Sequence, residues 1–223
     1  MTMNVRIVVT LFIASVFQGT RAESINDAIA TLTPQIVTVK TNIDAIVQNG
    51  RNLIIQTRRT IGQNIAEAET TIQEQLDQLD DIIEQAGREA EEKGLDVSKC
   101  ISDVSVALSD LDVKKFETCG AHENLHSIGS EFGNLRKIKG DLSRSVGLCR
   151  STNPHDVDNF KNCLQTNIDE AETKSDGVKQ KITNVCTDAV KAASKCVVKV
   201  VGELDTTIST AAHDLKQCLL QIL

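Results

Sequence analysis

The chain has 223 residues, with 24 Lys and Arg against 31 Asp and Glu and a formal net charge of −7. An acidic balance argues against nucleic acid and anionic membranes as partners, because both are bound by clustered Lys and Arg. Only 2% of the residues are aromatic, which argues against a deep, specific small-molecule pocket, since aromatic side chains supply many of the anchors in such sites.

The first 22 residues have the order of a secretory signal peptide. One positive charge, Arg6, precedes an uncharged apolar run from Ile7 to Phe17, and small residues stand at Thr20 and Ala22. The apolar run is too short for a transmembrane helix, which needs about 20 residues. We therefore expect cleavage after Ala22 and a mature chain, residues 23–223, that has no transmembrane segment and is secreted to the extracellular space.

Residues 23–95 contain no cysteine and are predicted to form long amphipathic helices. From Ile25 to Ile46 the spacing of apolar residues alternates between four and three, and a second apolar series runs from Ile54 to Ala90. This spacing is typical of coiled-coil-like helices that pack on other helices. Packing within one chain is favoured over self-association, because helical hairpins form between segments that are close in sequence.

Three features predict helix boundaries in the same region. Thr33-Pro34 indicates a restart with Thr33 as N-cap, and Asn49-Gly50 indicates a stop. Gly94 followed by Leu95 is typical of a glycine-terminated helix end. Residues 24–93 are therefore expected to form two long helices, either folded back as a hairpin or nearly continuous.

Residues 96–223 continue the helical spacing and hold all the cysteines. Asp96 is predicted to cap a helix that reaches Cys119, Gly120 to break it, and Asn153-Pro154 to start a later helix. Gly177 and Gly202 are either turns or positions inside one long helix. No stretch has the apolar–polar alternation of a strand. The predicted fold class is all-α, an elongated antiparallel helical bundle with disulfide links in its C-terminal half.

The seven cysteines are candidates for disulfide bonds, because thiols of a secreted chain oxidise. They contain no CxxC pair, which argues against structural zinc. An odd number leaves one thiol free or bonded to a second chain as a disulfide-linked dimer. The candidates are Cys100, Cys119, Cys149, Cys163, Cys186, Cys196 and Cys218.

A bundle topology suggests which cysteines lie at the same height along the bundle axis. It assumes that the helices turn at Gly120, near Asn153, at Gly177 and at Gly202. The resulting groups are Cys100 with Cys149, Cys119 with Cys218, and Cys163 with Cys196, with Cys186 left over.

Residues 122–126 form a literal HExxH. On a helix, His122 and His126 could hold zinc while Glu123 acts as general base on a metal-bound water. The position of the third metzincin ligand is Phe132, which cannot bind a metal, and the residue after the glutamate is the polar Asn124. We interpret the motif as coincidental, so no catalytic, cofactor-binding or metal-binding residue is predicted. The remaining histidines, at 155 and 213, are isolated and receive no role.

The widely spaced cysteines on amphipathic helices, from Cys100 to Cys218, resemble the insect secreted proteins of the tsetse EP-protein domain family. The Glu-Pro repeat tail of that family is absent, and the resemblance covers about half the chain. It implies a secreted protein of the gut, haemolymph or reproductive tract that has no established enzymatic role.

Three functional hypotheses follow. The first is a secreted, non-enzymatic interaction or structural protein whose partner is an unknown extracellular protein or a second copy. The second is an amphipathic-helix carrier of lipid or another hydrophobic ligand, which the apolar helix faces favour and the disulfides oppose. The third is a zinc metallopeptidase that uses residues 122–126. No cofactor is expected under the first hypothesis.

N-terminal sequencing of protein recovered from culture medium should begin at or near Glu23, because the first 22 residues have the order of a cleaved signal. An exported protein that retains Met1 would contradict the expected cleavage.

Overall fold

The computed structural model describes residues 23–109, 111–120 and 123–222, without the side chains of residues 123 and 124. This part of the chain is helical and contains no strand, which confirms the all-α prediction. The predicted signal peptide lies outside the described residues. The helices are α1 (Ile25–Lys93), α2 (Ser98–Ser109), α3 (Lys115–Cys119), α4 (Glu123–His126), α5 (Ile128–Thr152) and α6 (Val157–Leu220).

Both ends of α1 are fixed by local hydrogen bonds. The Ser24 hydroxyl and N–H donate to Asp27 Oδ2 at 2.7 and 3.0 Å, and these bonds lower the pKa of the Asp27 carboxyl. At the other end, Gly94 has a φ of 64°, and the Leu95 N–H donates to the Ala90 carbonyl at 2.8 Å. The glycine-terminated end predicted from Gly94-Leu95 is therefore confirmed.

Helix α1 continues through Pro34 and Gly50, so the predicted N-cap at Thr33 and the predicted stop at Asn49-Gly50 are wrong. The nearly continuous alternative is correct. Pro34 lacks an N–H to donate to the carbonyl of Ala30, and both residues are exposed. Water can hydrate that carbonyl, so the helix tolerates the proline.

Gly50 lies on the buried side of α1 and allows close packing. A Cβ at this position would lie 2.9 Å from Phe132 Cε1 and 3.5 Å from Ile182 Cδ1. The glycine therefore makes room for the Phe132 ring of α5. In the sequence, Asn49-Gly50 resembles a helix stop. In the structure, Gly50 instead allows two helices to approach each other closely.

The chain forms two compact units. The first unit contains the described residues up to Val47 and Gly133–Val178, and the second contains Gln48–Phe132 and the described residues from Lys179 onward. The boundary predicted between residues 95 and 96 separates the cysteine-free part of the sequence from the cysteine-containing part. The two compact units are defined instead by which parts of the chain contact one another. Residues 94–156, which connect α1 to α6, are called the return segment below.

In the first unit, α5 and α6 run antiparallel. They are joined by the short connection of residues 153–156, and a disulfide links Cys149 to Cys163 across it. Helix α1 joins this pair through the ion pair between Asp44 and Lys139, with an N–O distance of 2.5 Å. The ion pair between Glu23 and Lys161 links the start of α1 to α6.

In the second unit, α1 and α6 run parallel. Asn64 contacts Ser194, and Gln75 contacts Asp205, with 130 positions separating the residues of each pair. The return segment is antiparallel to α6, because Cys100 pairs near the end of α6 and Cys119 pairs earlier along it. The bundle-like arrangement predicted from the sequence is therefore present.

The spacing of buried residues differs between the units. In the first unit, buried positions recur every seven residues, as in Ile36 and Ile43 of α1 and Leu164, Ala171 and Val178 of α6. In the second unit they recur every eleven residues. The second set is Thr57, Ala68, Leu79 and Ala90 in α1, and Ala193, Leu204 and Leu215 in α6. A seven-residue period favours a left-handed supercoil of the packed helices, and an eleven-residue period favours a right-handed supercoil.

The helix predicted from Asp96 to Cys119 is divided. Its start is confirmed, since the Ser98 N–H donates to Asp96 Oδ1 at 2.9 Å. The side chain of Ser98 and, to a smaller extent, its N–H lower the pKa of the Asp96 carboxyl by hydrogen bonding. Helix α2 ends at Ser109, and the Asp112 side chain accepts the Lys114 N–H at 3.0 Å. Such local side-chain bonds compete with helix formation. Gly120 follows α3, as predicted.

The start predicted at Asn153-Pro154 is wrong. The Asn153 N–H donates to the Cys149 carbonyl at 3.0 Å and so completes the end of α5. The cap of α6 is Asp156, whose Oδ1 accepts the Asn159 N–H at 2.9 Å. Gly177 and Gly202 lie inside α6, so the alternative of one long helix is correct.

We expect Gly50→Leu to lower the free energy of unfolding by about 1–3 kcal/mol, the usual cost of overpacking a filled site. The matched control is Gly62→Leu in the same helix, where a Cβ has no neighbour within 4 Å. The control should raise stability by up to about 1 kcal/mol, because leucine favours a helix more than glycine does. Denaturant unfolding followed by circular dichroism measures both, and equal effects would contradict the packing role of Gly50.

Candidate functional site: the disulfide-linked helices

Three disulfides join the return segment to α6. The bonded pairs are Cys100–Cys218, Cys119–Cys196 and Cys149–Cys163. Their Cα–Cα distances are 5.7, 5.4 and 5.8 Å, within the usual range for disulfides. Helix α1 has no cysteine, so only non-covalent contacts hold it against the other helices.

The predicted grouping of cysteines is wrong for all three pairs. It assumed that the chain turns at Gly177 and Gly202, but α6 passes through both glycines without reversing. Cys218 is therefore carried to the far end of one long helix. There it meets Cys100 of α2 rather than Cys119, with which it was grouped.

Cys186 is the free cysteine among the described residues, as the prediction of one unpaired thiol required. It lies on the buried side of α6 and is only 2% exposed. A thiol in this position cannot reach a second chain unless the fold opens locally. Its burial therefore counts against a disulfide-linked dimer through Cys186.

Two of the disulfides lie within the core of the second unit. Cys100 and Cys119 are almost fully buried and belong to one apolar cluster with Val104 and Phe116. Helix α1 adds Ala68, Ile72 and Leu79 to the same cluster, and α6 adds Val197, Val200, Leu204, Ile208, Ala211 and Leu215. The covalent links and the apolar packing therefore stabilise the same contacts between α2, α3 and α6.

The HExxH segment lies on a short helix. Helix α4 spans four residues, Glu123–His126, and His122 lies outside the described residues. His126 is exposed, while Leu125 and Ile128 are buried. The described residues contain no group of three or more His, Cys, Asp or Glu side chains placed to hold a metal ion. The interpretation of the motif as coincidental stays a prediction, since the side chains of residues 122 and 123 are not described.

Two polar contacts between α1 and α6 could not be found from the sequence. Asn64 Nδ2 donates to Ser194 Oγ at 3.2 Å, and Gln75 Nε2 donates to Asp205 Oδ1 at 3.0 Å. Within the described structure, the buried Gln75 Oε1 accepts no hydrogen bond. Polar pairs at a helix interface fix the register of the two helices. Finding them requires the register itself, which periodicity does not provide.

An apolar groove of about 390 Å³ lies in the second unit, between α1 and the end of α6. Ile82 is 50% exposed and Leu220 is 67% exposed. Neither His213 nor Lys216 forms an ion pair with a residue that the structure describes. The lining residues are Ile82, Ala212, His213, Lys216, Leu219 and Leu220. No sequence pattern marks this groove, because Ile82 and His213 line it together only through the packing of α1 on α6.

No protein-family model, curated protein or solved structure matches the chain. In the described part of the chain, no helix has both the length and the apolar character needed to cross a bilayer. The three disulfides fit an extracellular protein, because disulfides persist in oxidising compartments.

Replacing both Cys149 and Cys163 by serine should lower the free energy of unfolding by about 3 kcal/mol, because this bond closes a short loop. Replacing Cys100 and Cys218 should cost more, about 4 kcal/mol, since the Cys119–Cys196 bond remains and leaves an effective loop of about 40 residues. Denaturant unfolding of the two double variants measures the difference.

Peptide mapping without reductant provides the control for these variants. It should recover the three pairs described above, and Cys186 should react with an alkylating reagent only after unfolding. A peptide that links Cys163 to Cys196 would contradict the pairing. A larger cost for the pair Cys149 and Cys163 would contradict the loop argument.

Proposed function

We propose that this chain is a secreted, non-enzymatic protein that acts in an extracellular fluid by binding another protein or by a structural role. The observation that carries the proposal is the set of three disulfides between the return segment and α6. Cross-links of this kind suit a protein that must keep its fold outside the cell, where thiols oxidise. The signal-peptide pattern of residues 1–22 supports the same location.

The surroundings of the HExxH segment favour a structural role for it. Leu125 and Ile128 are almost fully buried, so this part of the chain packs its apolar side into the second unit. His126 is exposed at the end of a helix of only four residues. A zinc peptidase carries this motif on a helix from which both histidines project toward a substrate cleft, whereas α4 has only four residues and ends at His126.

The resemblance to the tsetse EP-protein domain family refines the proposal. It suggests an insect fluid, such as that of the gut, haemolymph or reproductive tract, as the place of action. The segment that supports it is Cys100 to Cys218, which contains the three disulfides. Antibody staining of secretory tissues and their fluids tests the location independently of the fold.

A lipid carrier that works by opening its bundle is the competing function. Opening must separate apolar helix faces and lay them on lipid. Here α2 and α3 are bonded to α6, which leaves α1 as the one long helix free to move away. Its departure would expose Cys100, Leu204 and the rest of the shared core, so the disulfides and the packing both favour the closed state.

We expect Glu123→Gln to leave any biological activity of the full-length, oxidised protein unchanged, because the proposal gives Glu123 no chemical role. Wild type and variant are compared for peptidase activity in the presence of added zinc. His126→Gln serves as a second variant, and both should be recovered from the culture medium in equal amounts. Zinc-dependent peptide cleavage that disappears in Glu123→Gln would overturn the non-enzymatic function.

A further inference from the structure

We infer that the groove between α1 and the end of α6 binds a single-chain anionic amphiphile, such as a medium-chain fatty acid. The acyl chain would lie against Ile82, Leu219 and Leu220, and the carboxylate would lie at Lys216 and His213. This binding site goes beyond the proposed function and does not depend on it. If the groove binds no amphiphile, the proposed extracellular role is unaffected.

The shape and walls of the groove suit an acyl chain. Its volume of about 390 Å³ falls within the range of small-molecule sites, roughly 300–1,000 Å³. Ile82 and Leu220 remain exposed, and a bound chain would remove both side chains from water. No aromatic residue lines the groove, which fits a flexible aliphatic ligand better than a flat aromatic one.

The charged groups of the groove favour an anionic head. His213 and Lys216 are three positions apart in α6, so they lie on the same side of the helix. Both are exposed, and neither pairs with a described acidic residue. The Lys216 ammonium and a ring N–H of His213 can donate to a carboxylate, and charge-assisted hydrogen bonds are stronger than neutral ones.

A bilayer and a protein partner fit the groove less well. Exposed acidic residues flank Ile82 along α1, namely Asp80, Asp81 and Glu84, and would be repelled by an anionic membrane. A stable protein interface uses about 20–30 residues on each side, far more than the lining of this groove. A single molecule whose head sits at Lys216 avoids both difficulties.

The groove needs no opening of the bundle. Cys218 lies next to Leu219 and is bonded to Cys100 of α2, so the end of α6 is held in place beside the groove. A site that is already formed loses less conformational entropy on binding. This binding mode therefore differs from that of a carrier whose helices separate on lipid.

The test is isothermal titration of the full-length, oxidised protein with laurate below its critical micelle concentration. One laurate should bind per chain, and dodecanol, which has the same chain without the charge, should bind at least about 10-fold more weakly. Lys216→Glu should weaken laurate binding by about 10-fold or more. Ile82→Gln should weaken laurate and dodecanol alike, because it removes apolar contact from the chain.

Lys195→Glu is the matched control, because Lys195 is an exposed lysine of the same helix outside the groove. It should leave laurate binding unchanged, and circular dichroism should show all variants folded. Absence of laurate binding would overturn the inference, as would binding that neither Lys216→Glu nor Ile82→Gln affects. Equal affinity for dodecanol and laurate would exclude the anionic head. Flotation with phosphatidylglycerol vesicles that Ile82→Gln abolishes would replace the single-molecule ligand with a membrane surface.

Discussion

The side-by-side packing of α1 and α6 is the constraint on which the rest of the structure depends. In the second unit the two helices run parallel, with Gln75 and Asn64 of α1 placed against Asp205 and Ser194 of α6. When two parallel helices of one chain pack side by side, the segment that joins them must run back along their length. The return segment meets this requirement, and its breaks at Gly94, residues 111–114 and Gly120 let it follow the other helices in short pieces.

The disulfides reinforce one side of this arrangement. Each joins the return segment to α6, and none involves α1. Two pairs lie far apart in the sequence, where cross-linking removes the most conformational entropy from the unfolded chain. Helix α1 depends instead on its buried apolar residues and on a few polar contacts, of which the Asp44–Lys139 pair lies in the first unit. The molecule therefore combines a covalently linked pair of segments with a helix that is held by non-covalent contacts alone.

The sequence predicts those features that depend on neighbouring residues. The helical class, the cap at Asp96 and the end at Gly94 follow from short patterns, and the structure contains all three. Asn49-Gly50 has the same local form as a helix end, yet Gly50 lies inside α1, where the Phe132 ring occupies the space beside it. That contact joins residues distant in sequence, so no local pattern could reveal it.

The disulfide pairing and the groove cannot be predicted from the sequence, for the same reason. The pairing depends on whether α6 turns at Gly177 and Gly202, and a glycine in an apolar series is compatible with both outcomes. The groove depends on Ile82 lying beside residues 212–220, which the register of α1 and α6 decides. The unpaired cysteine illustrates the same limit. An odd number of cysteines predicts that one is unpaired, but only the fold shows that it is Cys186 and that it is buried.

The two repeat lengths restrict how the length of this protein could change during evolution. An insertion in one helix alone would shift every later buried residue away from its partners, so a tolerated change must be matched in α1, in the return segment and in α6. An insertion or deletion that keeps the same residues buried must be seven residues long in the first unit and eleven in the second. Homologous chains of different length should therefore differ by coordinated steps of these sizes, and each step would also have to leave every cysteine facing its partner.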